Sequence, residues 1–139
     1  MKSVIDEFCQ LVRIDSHSGE ERNMSDMLCS KLEELDFKVK RDGAGRQFDG
    51  QTGNIVGRLE GEEGLPPIIL CAHMDRVAPG RGVTPIVSDK SISSSGDTVL
   101  GADDVAGIVS ILSGIRLALD LGIKRRPLEV VFTASEENG

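Results

Sequence analysis

VLGADDVAGIVSILSGIRLALDLGIKRRPLEVVFTASEE, residues 99–137, is the stretch on which the fold turns. Val105, Ile108, Val109, Ile111, Leu112, Ile115 and Leu119 recur at helical spacing as a broad apolar stripe, and Gly122 follows as the expected left-handed stop. This predicts a largely buried helix. Leu128 to Thr133 then alternates as a strand that should be buried. A helix feeding a strand is the second half of an α/β unit, so the preceding apolar runs decide what the strand pairs with.

Upstream, Phe37 and Val39, then Ile55, Val56 and Leu59, then Ile68 to Cys71 read as short strands, split by glycine-rich turns and a loop over residues 61–67. Weaker strand signals surround Ile86-Val87 and Ile92. Val4, Ile5, Phe8, Leu11 and Val12 predict an amphipathic helix over residues 3–14. Ser18-Gly19-Glu20-Glu21 has the form of a capping box and precedes Met24, Met27, Leu28, Leu32 and Leu35, predicting a second helix over about residues 19–36 with its methionines as core filler. Helix, helix, strands, helix, strand implies an α/β fold, a mixed sheet flanked by helices.

The 139 residues suffice for one domain. With 16 Lys+Arg against 23 Asp+Glu the net charge is −7, which disfavours binding to nucleic acid, and the absence of Trp and Tyr removes stacking platforms. No apolar run reaches membrane-span length, and the start at Met1-Lys2-Ser3 runs into Asp6 and Glu7, so no membrane partner and no leader are expected. Cys9, Cys29 and Cys71 are odd in number and far apart, which reads as three reduced, buried thiols in a cytoplasmic protein.

Ligand sites in α/β sheets lie beyond the carboxyl ends of strands, and three acidic clusters fall there. Ile68 to Ala72 runs into His73-Met74-Asp75; Leu100-Gly101 runs into Ala102-Asp103-Asp104; the last strand runs into Ser135-Glu136-Glu137. A period of two places His73 and Asp75 on one side, where a carboxylate can orient a ligating imidazole. Asp103 and Asp104 precede a helix, where one acid serves as a cap and two are more than a cap needs. Adjacent Glu136 and Glu137 repel unless solvent, a proton or a cation intervenes. One imidazole with several carboxylates is the ligand set of hydrolytic metal sites.

The segments Leu11 to Glu21, Ala72 to Asp75, Leu100 to Gly107 and Val131 to Glu137 resemble, in order and spacing, the zinc-dependent exopeptidases of the M20 family, the tripeptide aminopeptidase (peptidase T)-like members most of all. The resemblance implies a two-metal hydrolase of small peptides using zinc, with cobalt or manganese as alternatives. His73 would bind one metal, Asp103 bridge both and Glu137 bind the other, with Asp75 orienting His73 and Glu136 as general base. Asp104 is expected as a cap or an outer acid. Arg76 stands where many relatives have Thr, Val105 where Lys is common, and His17 where Pro is common.

Members of the family are more than twice as long, so the resemblance implies that residues 1–139 are the N-terminal part of a catalytic domain without its lid and dimerisation domain. Each metal would then keep two protein ligands, and weak metal occupancy and little peptidase activity of the isolated chain are expected. Uncovered apolar surface would favour self-association or a complementary C-terminal chain. An M20-like deacylase or carboxypeptidase, and a non-catalytic metal-binding or interaction fragment, remain as alternatives.

Overall fold

A computed structural model describes residues 3–139; Met1 and Lys2, which open the segment read as no leader, lie outside the described residues. Helix α1 spans Val4–Val12 and α2 Arg22–Glu33. Strand β1 covers Lys38–Arg41, β2 Ile55–Leu59 and β3 Ile68–His73; the small strands β4 (Pro85–Val87) and β5 (Ile92–Ser94) follow, then α3 (Ala102–Asp120) and β6 (Leu128–Thr133). A 3₁₀ turn, Ala44–Gln47, interrupts the β1–β2 connection where no regular element is predicted.

The main sheet has the order β1-β2-β6-β3, antiparallel at β1/β2 and β2/β6 and parallel at β3/β6. The fold is the predicted α/β architecture with a mixed sheet. β4 and β5 form a separate antiparallel pair, which confirms the two weak strand signals. The parallel register aligns His73 with Thr133, so the carboxyl ends of β3 and β6 emerge side by side. That alignment brings sequence-distant clusters together, because the chain continues into Met74-Asp75 from one strand and Ser135-Glu136-Glu137 from the other.

Three helices share one core with one face of the sheet. Leu11, Val12, Met24, Leu28, Leu32, Ile108 and Leu112 are buried against Ile55, Val130 and Phe132. Gly57 leaves room there, since a Cβ would lie 3.1 Å from Leu32 Cδ1. The opposite face is open: Ile69, Cys71 and Arg58 are exposed. β6 is therefore half-covered, alternating buried and part-buried residues, because helices pack on only one of its faces. The same geometry corrects the expectation for the thiols. Cys9 is buried, Cys29 is part-buried and Cys71, on the open face, is exposed; all three are free.

The helix ends differ instructively from the expected ones. α1 carries the capping box that the sequence pattern assigns to α2: Ser3 Oγ accepts the N–H of Asp6, and the Ser3 N–H donates to the Asp6 carboxylate. α2 starts at Arg22 without a side-chain cap, since Ser18 and Glu21 are engaged elsewhere. α3 ends as predicted, with Gly122 in the left-handed region at φ 61°. No helix among the described residues is long and apolar enough to cross a membrane.

Candidate metal centre

Asp75 is the hub. The residue is 1% exposed. It accepts hydrogen bonds from Ser18 Oγ (2.6 Å), from the Glu136 N–H (3.0 Å) and from the Glu137 N–H (3.1 Å). Two consecutive amides aimed at one carboxylate form a small anion nest. Ser135 makes the nest by taking a left-handed conformation at φ 60°, and Glu21 Oε1 holds that residue by accepting its N–H at 3.0 Å. Glu21 Oε1 also accepts the Gly19 N–H at 2.9 Å, which ties the α1–α2 loop to the turn after β6.

His73 sits above this hub at the end of β3. Its Nδ1 is 3.0 Å from the backbone carbonyl of Asp75 and 3.3 Å from Asp75 Oδ1. A carbonyl only accepts, so Nδ1 carries the proton and the tautomer is set. Nε2 therefore faces outward, 3.0 Å from Asp103 Oδ1 and 4.0 Å from Glu136 Oε2. Burial would lower the His73 pKa, but the hydrogen bond with Asp103 and the charges of Asp75, Asp104 and Glu136 outweigh it and hold the imidazole above its ordinary value.

Asp103 comes from the start of α3, where its backbone (φ −88°, ψ 108°) is not yet helical. Asp104 is the cap: its Oδ1 accepts the Gly107 N–H at 3.1 Å. Capping thus employs one acid and leaves Asp103 free to face His73. One ligand atom each from His73, Asp103 and Glu137 lies within 4.8 Å of the others. Tetrahedral zinc with bonds of about 2.0–2.2 Å separates its ligand atoms by roughly 3.3–3.6 Å, a spacing that this set is within small side-chain movements of reaching. Among the described residues no Lys or Arg forms an ion pair with Asp103, Asp104, Glu136 or Glu137.

Aminopeptidase PepT from Bacillus cereus ATCC 10987 superposes with a TM-score of 0.94 at 34% identity, over 98% of this chain and 37% of its own. The chain is an M20 peptidase-like domain. A tripeptidase from Staphylococcus aureus subsp. aureus Mu50 superposes at 0.92, also with 34% identity over 98% of this chain and 37% of its own. In sequence, the uncharacterised protein YqjE of Bacillus subtilis strain 168 is 33% identical over 138 residues, 99% of this chain and 37% of its own length. This chain thus spans 37% of the length of each. No protein-family model matches it.

Within the M20-like domain the atypical residues prove structural. Arg76 is 2% exposed, and its guanidinium donates to the carbonyls of Val12, Ile14 and Gly80 at 2.9, 3.0 and 3.2 Å. It fastens the end of α1 and the residues after it to the connection between β3 and β4. Gly101, at φ 75°, is required beside it, because a Cβ would lie 2.7 Å from Arg76 Nε. Val105 is core on α3. His17 is half-buried rather than a free surface side chain, and its backbone bridges to Arg76. Ser18, Glu21 and Asn54, whose Oδ1 accepts the Ala134 N–H at 3.0 Å, are site-building residues that sequence reasoning did not assign. For Ser18 and Glu21 the sequence shows a polar pair in the form of a capping box, which by itself points to local capping.

Proposed function

We propose that this domain belongs to a metal-dependent peptidase acting on small peptides, in which His73, Asp103 and Glu137 hold zinc or a similar divalent ion and Asp103 is shared by a metal pair. The carrying observation is the orientation of His73: Nδ1 is pinned to the Asp75 carbonyl, so the Nε2 lone pair meets Asp103 Oδ1 at 3.0 Å. Two acceptors at that distance require a cation or a proton between them. The donor set, one imidazole and exposed carboxylates without a basic partner, fits a borderline divalent metal. When bound, such a metal polarises a scissile carbonyl and lowers the pKa of water.

The chain's own residues supply the remainder. Asp75 holds the His73 ring, while the nest over Asp75 holds the backbone of Glu136 and Glu137. On this reading Glu136, 59% exposed in its side chain and 4.0 Å from His73 Nε2, would act as the general base that takes a proton from the attacking water and passes it to the leaving amine. Calorimetric zinc titration tests the site. Affinity is expected to fall about 100-fold in His73→Ala and to stay within about threefold in Glu136→Gln. In an active protein bearing this domain, Glu136→Gln should keep the metal and lose roughly 10²–10⁴-fold in tripeptide turnover. Equal zinc affinity in all three proteins would remove the ligand assignment, and unchanged turnover would remove the base.

We also propose that the 139 residues form the N-terminal part of such a catalytic domain and associate through the β3 edge, with a second copy or a complementary chain. Ile69 at 62% and Ile68 at 44% exposure lie on this edge strand, which pairs only with β6 among the described residues. Sedimentation should show concentration-dependent association that Ile69→Lys reduces; a monomer at every concentration rejects the idea.

A further inference from the structure

The β1–β2 connection, with Arg22 of α2 and Arg41 of β1, borders an open cavity of about 340 Å³ that shares no lining residue with the metal centre. Three arginines, Arg22, Arg41 and Arg46, line it, in a chain whose net charge is −7. Their charge is only partly neutralised. Arg41 pairs with Asp26 at 2.5 Å and donates to Ser25 Oγ. Arg22 donates to the Gln51 carbonyl, which is neutral. The Arg46 side chain makes no hydrogen bond or ion pair among the described residues; its backbone N–H donates to the Gly43 carbonyl at 3.2 Å.

The single acid in the lining, Asp42, offsets one of these charges without forming an ion pair with any of the three arginines. Asp42 spends its carboxylate inside the loop: Oδ1 accepts the N–H groups of Ala44 and Asn54, each at 2.9 Å, and Oδ2 accepts from Asn54 Nδ2 at 2.8 Å. Glycine is required in the loop that borders this space. A Cβ on Gly45 would lie 2.1 Å from the Thr52 carbonyl oxygen, and one on Gly53 2.4 Å from that of Asp42, so the backbone turns back on itself where only glycine fits. Gly43, by contrast, faces open space.

We propose that the Arg22–Arg41–Arg46 cavity is a binding site for a small multivalent oxyanion. Guanidinium forks match the paired oxygens of carboxylate and phosphate, and the cavity has the size of a compact polyanion rather than a peptide. Neither hydrophobic ligands nor cations suit a lining of arginine and glycine.

The test is an amide NMR titration of the chain with inorganic phosphate, with citrate, and with chloride at matched ionic strength. Saturable shifts at Gly43, Gly45, Gly50 and Gly53 are expected with phosphate or citrate and not with chloride. The tighter of the two identifies the favoured group, phosphoryl or carboxylate. Arg22→Gln/Arg46→Gln should weaken binding at least about tenfold, and Arg46→Gln alone, which breaks no hydrogen bond, about fivefold. Arg58→Gln, on the open sheet face, should stay within about twofold of the parent. No saturable response by about 20 mM of either oxyanion overturns the proposal, as does Arg46→Gln binding as tightly as the parent.

Discussion

Asp75→Ala is expected to weaken zinc binding by about 10–100-fold and to destabilise the domain by about 3 kcal/mol. The carboxylate touches no proposed metal position, yet three donors and one imidazole converge on it: Ser18 Oγ, the amides of Glu136 and Glu137, and His73 Nδ1. Removing it leaves buried N–H and O–H groups without acceptors, each worth about 1–3 kcal/mol when unsatisfied, with water offsetting part of the loss. It also frees the turn that carries Glu136 and Glu137. Asp75→Asn keeps the volume and one acceptor, so it should fall between. Zinc titration together with denaturant melts distinguishes the effects. Unchanged zinc affinity in a folded Asp75→Ala protein would show that His73 and Glu137 are held by other means.

Glu7→Gln is expected to have the largest effect on stability, about 3–5 kcal/mol. Glu7 lies on α1 with a side chain 3% exposed, and three elements meet at it. Lys31 from α2 donates at 2.7 Å, and Arg116 from α3 donates through Nη1 and Nη2 at 2.5 and 2.7 Å. Without the carboxylate, a nearly buried ammonium and a part-buried guanidinium face each other, with Glu34 as the remaining acid acting on Arg116.

The same cluster predicts a pH dependence. Burial pushes the Glu7 carboxyl up, but the hydrogen bonds from Arg116 and Lys31 and their charges outweigh it and hold the group below the usual carboxylate range. A depressed folded-state pKa means that the stabilisation is present above the unfolded value, about 4.3, and is lost as pH falls from there through the folded value. Urea melts between neutral pH and about pH 3 should therefore show an acid-side loss that is smaller in Glu7→Gln. Parallel curves for the two proteins would contradict it.

Much of the site was legible because its residues stand at strand ends. His73, Asp103 and Glu137 follow apolar runs that could only be β3, the entry to α3 and β6, and the structure brings one atom of each within 4.8 Å. Local pattern was less informative about polar side chains, because each has several partners to choose from. Ser18-x-x-Glu21 satisfies the form of a capping box, yet Ser18 donates to Asp75 and Glu21 accepts the N–H of Ser135, 114 residues away. Arg76, next to a metal-site motif in sequence, turns inward to carbonyls of α1 and the loop that follows.

Hydrophobic period and glycine placement act over a few residues, so the helices, the strands and the acidic clusters that end them are written locally in the chain. Tertiary structure alone decided the parallel pairing of β3 with β6, the inward aim of Asp75 and Arg76, and the meeting of Glu7 with Lys31 and Arg116. Those outcomes depend on which buried polar group reaches which donor once the core has closed. That choice is made between elements distant in the chain, and no local period records it.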